Sequence, residues 1–310
     1  MPTALITGIT GQDGGYLAEL LTGQGWTVHG ILRAREEPPA HLTAATLHEA
    51  DLLDNAGLEA LFSDIAPDEV YNLAGVSSVA RSWDDPVPTA RVNGEVVARL
   101  LELIWNQTHP VRFLQASSAE IFAGSGVVPQ SETTALAPRS PYGASKAFAH
   151  QLVQVYRVRG MHAVNAVLYN HESPRRPTTF VTRKITSTVA AIADGRADEL
   201  VLGSLDVRRD WGWAPEYVEA MTLALRFDRP EDWVLATGTS ATVLEFVAAA
   251  FDHVGIADWR KYVRTDSAFT RTGDAPELRG DASKAARLLG WTPTVGLAEL
   301  VGHMVDADRD

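Results

Sequence analysis

Short apolar runs recur through the first half of the chain, each followed by a polar turn and then by apolar residues at helical spacing. The runs Ala4–Thr7, Thr27–Leu32, Glu69–Leu73, Arg112–Gln115 and Ala163–Leu168 predict buried strands. The stretches Tyr16–Leu21, Asn55–Phe62, Ala90–Ile104 and Ala144–Tyr156 predict helices. Strand–helix alternation brings parallel strands together through right-handed crossovers. The expected fold is therefore α/β, a doubly wound parallel sheet (Rossmann) with a smaller C-terminal substrate-binding domain. After about Asn170 the pattern loosens into Pro- and Arg-rich loops. On this reading residues 1–170 and 211–243 form the dinucleotide domain, and residues 171–210 and 244–310 the substrate domain. No internal repeat or low-complexity linker interrupts the pattern.

Composition narrows the function classes. Of the 310 residues 45% are hydrophobic and 21% charged, the balance of a globular protein rather than of a disordered or fibrous one. Lys and Arg number 27 and Asp and Glu 39, so 27 − 39 gives a net charge of −12, which disfavours nucleic acid and anionic membranes as partners. The cations are 23 Arg against 4 Lys, a bias toward bidentate phosphate contacts. The absence of cysteine excludes disulfides and thiolate chemistry and fits a reducing compartment. No apolar stretch is long enough to span a membrane, and the first residues lack the pattern of a signal peptide. A cytoplasmic location is expected, and the sequon Asn106-Gln107-Thr108 reads as chance.

Gly8, Gly11 and Gly14, with Gln12 and Asp13 among them, follow the first strand and open the first helix. Such a turn lets the backbone approach a pyrophosphate that the helix N-terminus stabilises. Three glycines also suit a plain tight turn, but the flanking strand and amphipathic helix favour a nucleotide. The second strand ends at Leu32 and is followed by Arg33 and Arg35, with no carboxylate before Glu36. Arg suits a 2′-phosphate, so NADP is expected rather than NAD.

Tyr142 and Lys146 stand four residues apart at the start of a predicted helix, on one face. A neighbouring ammonium and an oxidised nicotinamide would lower the phenol's pKa from about 10, making Tyr142 a base for a sugar hydroxyl. Ser117 and Ser118 end an earlier strand. Ser, Tyr and Lys in this order after the Gly-rich unit resemble the short-chain dehydrogenase/reductase superfamily in its extended form. Glu120 is an addition. Once carbon 4 of a hexose is a ketone, the proton on carbon 5 is acidic. One carboxylate can take that proton and protonate the hydroxyl leaving carbon 6. The alternative is that Glu120 is an ordinary turn residue.

Longer strings resemble the GDP-mannose 4,6-dehydratase family across nearly the whole chain and in that family's order. They are Gln115–Glu120, Pro138–Lys146, Asn170–Arg176, Phe180–Ile185, Leu205–Gly212 and Leu289–Pro293. The resemblance implies an NADP-dependent lyase acting on GDP-mannose. It assigns Ser118 to hydrogen-bonding the hexose near carbon 4, Glu120 to acid/base work in dehydration and Tyr142 to oxidation. Lys146 would orient the nicotinamide ribose. Asn170, Lys184, Arg209 and Arg271 would grip the nucleotide diphosphate, with Asp274 contacting the nucleotide sugar. Asp51, Leu52, Leu73 and Ala74 would join the glycines, Arg33 and Arg35 around the cofactor. Trp213 replaces the family's usual His, Asp274 its Glu, and Val76 and Ser78 its Gln and His. The segment between Arg33 and Asp51 is short, and Ala34 stands where the second Arg of a pair is usual. Family members often form tetramers through that segment, so a homodimer is expected here, a tetramer being the alternative.

Rival readings are a 4,6-dehydratase of another nucleotide sugar, a GDP-4-keto-6-deoxymannose reductase, and an NADP-binding regulatory protein. The nine His residues show no metal-ligand spacing, so no metal is expected. His171 reads as a loop hydrogen-bonder, Trp211 and Trp213 as packing residues, and Arg279-Gly280-Asp281 as a turn before a helix.

Overall fold

The computed structural model describes residues 1–40, 42–269 and 273–309. Seven parallel strands form the main sheet: β1 (Thr3–Thr7), β2 (Thr27–Leu32), β3 (Thr46–Glu49), β4 (Glu69–Asn72), β5 (Arg112–Ser118), β6 (Ala163–Leu168) and β7 (Asp232–Leu235). Their order is β7-β6-β5-β4-β1-β2-β3. The chain therefore winds outward one way from β1 and the other way from β4. The reversal leaves a crevice at the strand C-termini between β1 and β4, the place where doubly wound sheets bind ligands.

Both faces of the sheet are covered. One face packs Ala4, Ile6, Tyr71 and Leu114 against α1 (Gln12–Gly23) and against a helix of the second half, Ala214–Arg226. The other packs Leu5, Val70 and Phe113 against Asn55–Ile65, Val96–Trp105 and Pro141–Val158. Central strands buried on two sides need continuous apolar runs, which is why their sequences lack alternation. A further core joins Val181–Ala193, Val243–His253 and Leu297–Arg309, with Phe246, Phe251, Leu300 and Met304 fully buried. Ala285 and Trp291 instead pack into the first core, Trp291 edge-on to Tyr217 at 5.6 Å.

The expected strands and helices are present, and the main sheet has two strands that the apolar runs do not predict. β3 is an edge strand whose Thr46 and Glu49 are exposed, so it shows no apolar run. β7 is buried yet opens on Asp232, whose carboxylate accepts bonds from Arg157 at 2.6 Å, Gln154 at 2.7 Å and Asn165 at 2.9 Å. A strand starting on an acid after an Arg-Pro-Glu loop looks like loop in sequence. The helix expected over Ala90–Ile104 begins at Pro86 and widens into a π turn over Arg91–Glu95 before continuing to Trp105.

Candidate active site

The floor of the crevice is a row of polar side chains at the strand ends. Thr7 Oγ1 donates to Asn72 Oδ1 at 2.6 Å, and Asn72 Nδ2 donates to Gln115 Oε1 at 2.7 Å. Thr7 also accepts the Ala74 N–H at 3.2 Å, drawing the segment after β4 over the Gly-rich turn. The approach is close: a Cβ on Gly8, at φ 70°, would lie 2.8 Å from the Ala74 backbone, and one on Gly14 2.4 Å from the Gly8 carbonyl. Gly11 precedes α1, and no side chain caps that helix among the described residues. Its bare N-terminus and the absence of side chains fit a dinucleotide pyrophosphate.

The four expected catalytic residues come together on two elements. Ser118 ends β5, and its hydroxyl accepts the Glu120 N–H at 3.3 Å, turning the chain into the short 3₁₀ turn Ala119–Phe122. Tyr142 and Lys146 lie in the first turns of Pro141–Val158, a helix capped by Ser140 Oγ accepting the Gly143 N–H at 3.0 Å, with proline at its first position. The helix presses onto the turn: a Cβ on Gly143 would meet the Glu120 carbonyl at 2.8 Å. Lys146 Nζ donates to the Ala116 carbonyl at 2.9 Å and lies 5.9 Å from the Tyr142 ring centre.

Burial dominates the electrostatics. It pushes the Tyr142 phenol up to about 12, against a hydrogen bond with Ser118 and with the Glu120 charge adding to the rise. It also pushes the Lys146 ammonium down to about 8, against the attraction of Asp13. In the protein itself the phenol is thus raised, because burial outweighs the Ser118 hydrogen bond and the charge of Arg176, whereas the expected lowering called on an oxidised nicotinamide as well as Lys146. For Lys146 the folded value lies below the ordinary 10.5, so the unfolded chain binds more protons between about pH 8 and 10.5. Stability should rise with pH across that window, and Lys146→Met should remove the rise while stabilising the neutral protein by up to about 3 kcal/mol. Thermal unfolding midpoints across that pH range check it. A variant that melts lower than wild type would contradict this.

Sequence reasoning missed Asn93. It sits fully buried in the π turn, where Oδ1 accepts the Val76 N–H at 2.9 Å and Nδ2 donates to the Val76 carbonyl at 3.0 Å and to Ser145 Oγ at 3.2 Å. It ties the loop after β4 to the Tyr142 helix. No periodicity announces it; a polar residue inside an apolar helical run was the one available signal.

Asp13 and Gln12, at the start of α1, bond to the segment after β6. His171 Nε2 meets Asp13 Oδ2 at 2.9 Å, Gln12 Nε2 donates to the His171 carbonyl at 3.0 Å, and Ser173 Oγ donates to Gln12 Oε1 at 2.8 Å. Burial would raise the Asp13 carboxyl, but the charge and bond of His171, with Arg176 and Gln12, hold it well below the carboxylate range. Arg176 pairs with buried Glu172 at 2.9 Å, and Thr182 donates to the same carboxylate at 2.7 Å. After β3, Asp51 accepts the Leu53 N–H at 2.9 Å and Leu52 is half-buried. Arg33 meets Glu36 at 3.3 Å, whereas Arg35 is exposed with φ 62°.

The expected sugar-side residues are placed more loosely. Asn170 is exposed and pairs in register with Trp211. Buried Arg209 pairs with Asp274 and donates to the Ala275 carbonyl at 2.9 Å, so these two join one cluster. The Lys184 ammonium lies 4.0 Å from the Phe269 ring centre. Arg271 lies outside the described residues. Trp211 packs edge-on to Phe246 at 5.1 Å and Trp213 against His303 at 5.1 Å. Among the described residues no group of three or more His, Cys, Asp or Glu is placed to hold a metal, and no helix is long and apolar enough to cross a membrane.

Comparison with known proteins agrees with this geometry. The model of a family described as GDP-mannose 4,6 dehydratase matches residues 5–304. GDP-mannose 4,6 dehydratase 2 of Arabidopsis thaliana is 46% identical, the match covering 99% of this chain and 87% of that protein. The human GDP-mannose 4,6 dehydratase is 42% identical over 98% of this chain and 91% of that one. A Thermus thermophilus UDP-glucose 4-epimerase solved in complex with NAD superposes with a TM-score of 0.88 at 26% identity, covering 99% of both chains. With its match spanning nearly the whole length, and with Ser118, Glu120, Tyr142 and Lys146 gathered at one crevice, the chain belongs to the GDP-mannose 4,6-dehydratase family.

Proposed function

We propose that the protein converts GDP-mannose to GDP-4-keto-6-deoxymannose with bound NADP. The observation that carries the reading is the placement of a carboxylate, Glu120, in the turn beside Ser118, with its charge bearing on the Tyr142 phenol. A dehydrogenase or epimerase needs Ser, Tyr and Lys; only elimination needs the acid as well. When bound, the nicotinamide would supply a hydride acceptor for carbon 4 and, once reduced, a hydride donor for carbon 6. The rest falls to the chain. Ser118 Oγ orients the carbon 4 hydroxyl and Tyr142 Oη takes its proton. Lys146, its ammonium anchored on the Ala116 carbonyl, supplies positive charge beside the phenol. Glu120 takes the proton from carbon 5, activated by the new ketone, and delivers it to the hydroxyl leaving carbon 6 as water. A solvent-derived proton later restores carbon 5.

Gly8, Gly11 and Gly14 admit the pyrophosphate, Leu73 and Ala74 line its far side, and Arg33 reads the 2′-phosphate, with Arg35, Asp51 and Leu52 around the adenosine. On the sugar side Asn170, Lys184, Arg209 and Arg271 hold the diphosphate. Residues 1–170 and 211–243 serve the dinucleotide and residues 171–210 and 244–310 the nucleotide sugar. The test is to give purified protein a panel of nucleotide sugars without added reductant. Loss of one water from GDP-mannose alone is expected. Loss from a different nucleotide sugar, or consumption only with added reductant, would overturn the assignment.

Exposed apolar side chains on two neighbouring helices support a homodimer: Phe148, Val155 and Val158 on Pro141–Val158, and Trp105 on Val96–Trp105. Pairing with a second copy would cover them in a four-helix bundle. Light scattering should give twice the chain mass at micromolar protein. A stable tetramer would defeat the proposal.

A further inference from the structure

Beyond the crevice itself, the turn between β1 and α1 is closed by a side chain from after β2. Glu36 Oε1 accepts a bond from Thr10 Oγ1 at 2.8 Å, and Oε2 accepts the Arg33 N–H at 3.1 Å and Arg33 Nε at 3.3 Å. Thr10 lies between Gly8 and Gly11, and Arg33 directly follows β2. In doubly wound folds the adenosine ribose is read at the end of the second strand, by a carboxylate for the free 2′-hydroxyl or by Arg for a 2′-phosphate. Here one carboxylate already holds the Thr10 hydroxyl, the Arg33 amide and the Arg33 guanidinium. Those are the donors a 2′-phosphate would call on. Burial would raise the Glu36 carboxyl, but the bonds from Arg33 and Thr10 hold it below the ordinary range, so it is an anion at neutral pH.

We propose that Glu36 is the specificity-determining residue at the ribose edge, a tethered anion that competes with the 2′-phosphate for Thr10 and Arg33. The inference rests on Arg33 as the reader of that phosphate and adds an internal competitor to it. NADP binds only as the carboxylate swings out, whereas NAD leaves it in place to accept from the ribose hydroxyls. The swing is cheap because Arg33 is 85% exposed, and pairs in water are weak. The outcome is a preference for NADP blunted by Glu36, so that both dinucleotides are accepted.

Calorimetry on the full chain tests this with 2′,5′-ADP and 5′-AMP, probes that differ only in the 2′-phosphate. Glu36→Gln should tighten 2′,5′-ADP about tenfold, or 1.4 kcal/mol, and should not tighten 5′-AMP, which loses the carboxylate from its ribose hydroxyls. Glu36→Asp keeps the charge but draws it back from Thr10, and should fall between. If Arg33→Ala weakens 2′,5′-ADP while both Glu36 variants match wild type, the competitor role is wrong and Arg33 remains the reader. If no variant changes the affinity for 2′,5′-ADP, the phosphate is not read here and both ideas fall. Circular dichroism melts of the Glu36 variants matching wild type exclude misfolding as the cause of any change.

Discussion

The Glu120→Gln variant, mixed with GDP-mannose, should oxidise carbon 4 and stop there. Glutamine keeps the size and polarity of the side chain but has no proton to exchange, so water loss falls by roughly the 10²–10⁴-fold typical of acid–base groups. The turn carrying it is set by main chain and by Ser118, which accepts the Glu120 N–H, and neither changes in the variant. The expected signature is a build-up of the 4-keto sugar still bearing its carbon 6 hydroxyl, together with the absorbance of reduced dinucleotide. In heavy water the wild-type product should carry one deuterium at carbon 5 and none at carbon 6. Solvent deuterium at carbon 6, or full dehydration by the variant, would remove Glu120 from this role.

Tyr142→Phe should fail earlier. The phenylalanine ring fills the same buried space, but the hydrogen bond with Ser118 and the proton acceptor are gone. Oxidation of carbon 4 should fall by about 10²–10⁴-fold with no reduced dinucleotide appearing, because hydride cannot leave while the hydroxyl keeps its proton. Stopped-flow absorbance separates the two variants: one shows a burst, the other none. A burst in Tyr142→Phe would make another group the base.

Much of this was legible in the sequence. Central strands advertise themselves as apolar runs because both faces of the sheet are buried, and the Gly-rich turn because no side chain fits beside Ala74. Tyr142 and Lys146 were readable from helical spacing taken together with Ser117 and Ser118 upstream and the Gly-rich unit before them. What stayed hidden depends on tertiary partners. β7 begins on an acid that is tolerable only beside Arg157 and Asn165, which are far away in sequence. Asn93 matters because a π turn aims it at Val76, and a π turn has no residue signature. Glu36 looked like the first acid too late in the chain to reach the ribose edge. A left-handed Arg35 folds the loop back, and the carboxylate reaches Thr10.

The contact between Gly143 and the Glu120 carbonyl bears on how such an enzyme changes over generations. Because that contact is made by main chain, the Tyr142 helix is braced by the turn whatever side chain position 120 carries. If Glu120 carries water elimination as proposed, that step is a detachable trait. On the role proposed for Glu120, an exchange at position 120 would delete it while the machinery for oxidising carbon 4 survives, whereas a Cβ at position 143 would press on the Glu120 carbonyl at 2.8 Å. Selection would then meet one position where the side chain carries the chemistry beside one where the backbone contact forbids a side chain, and new chemistry in this scaffold would enter through the first.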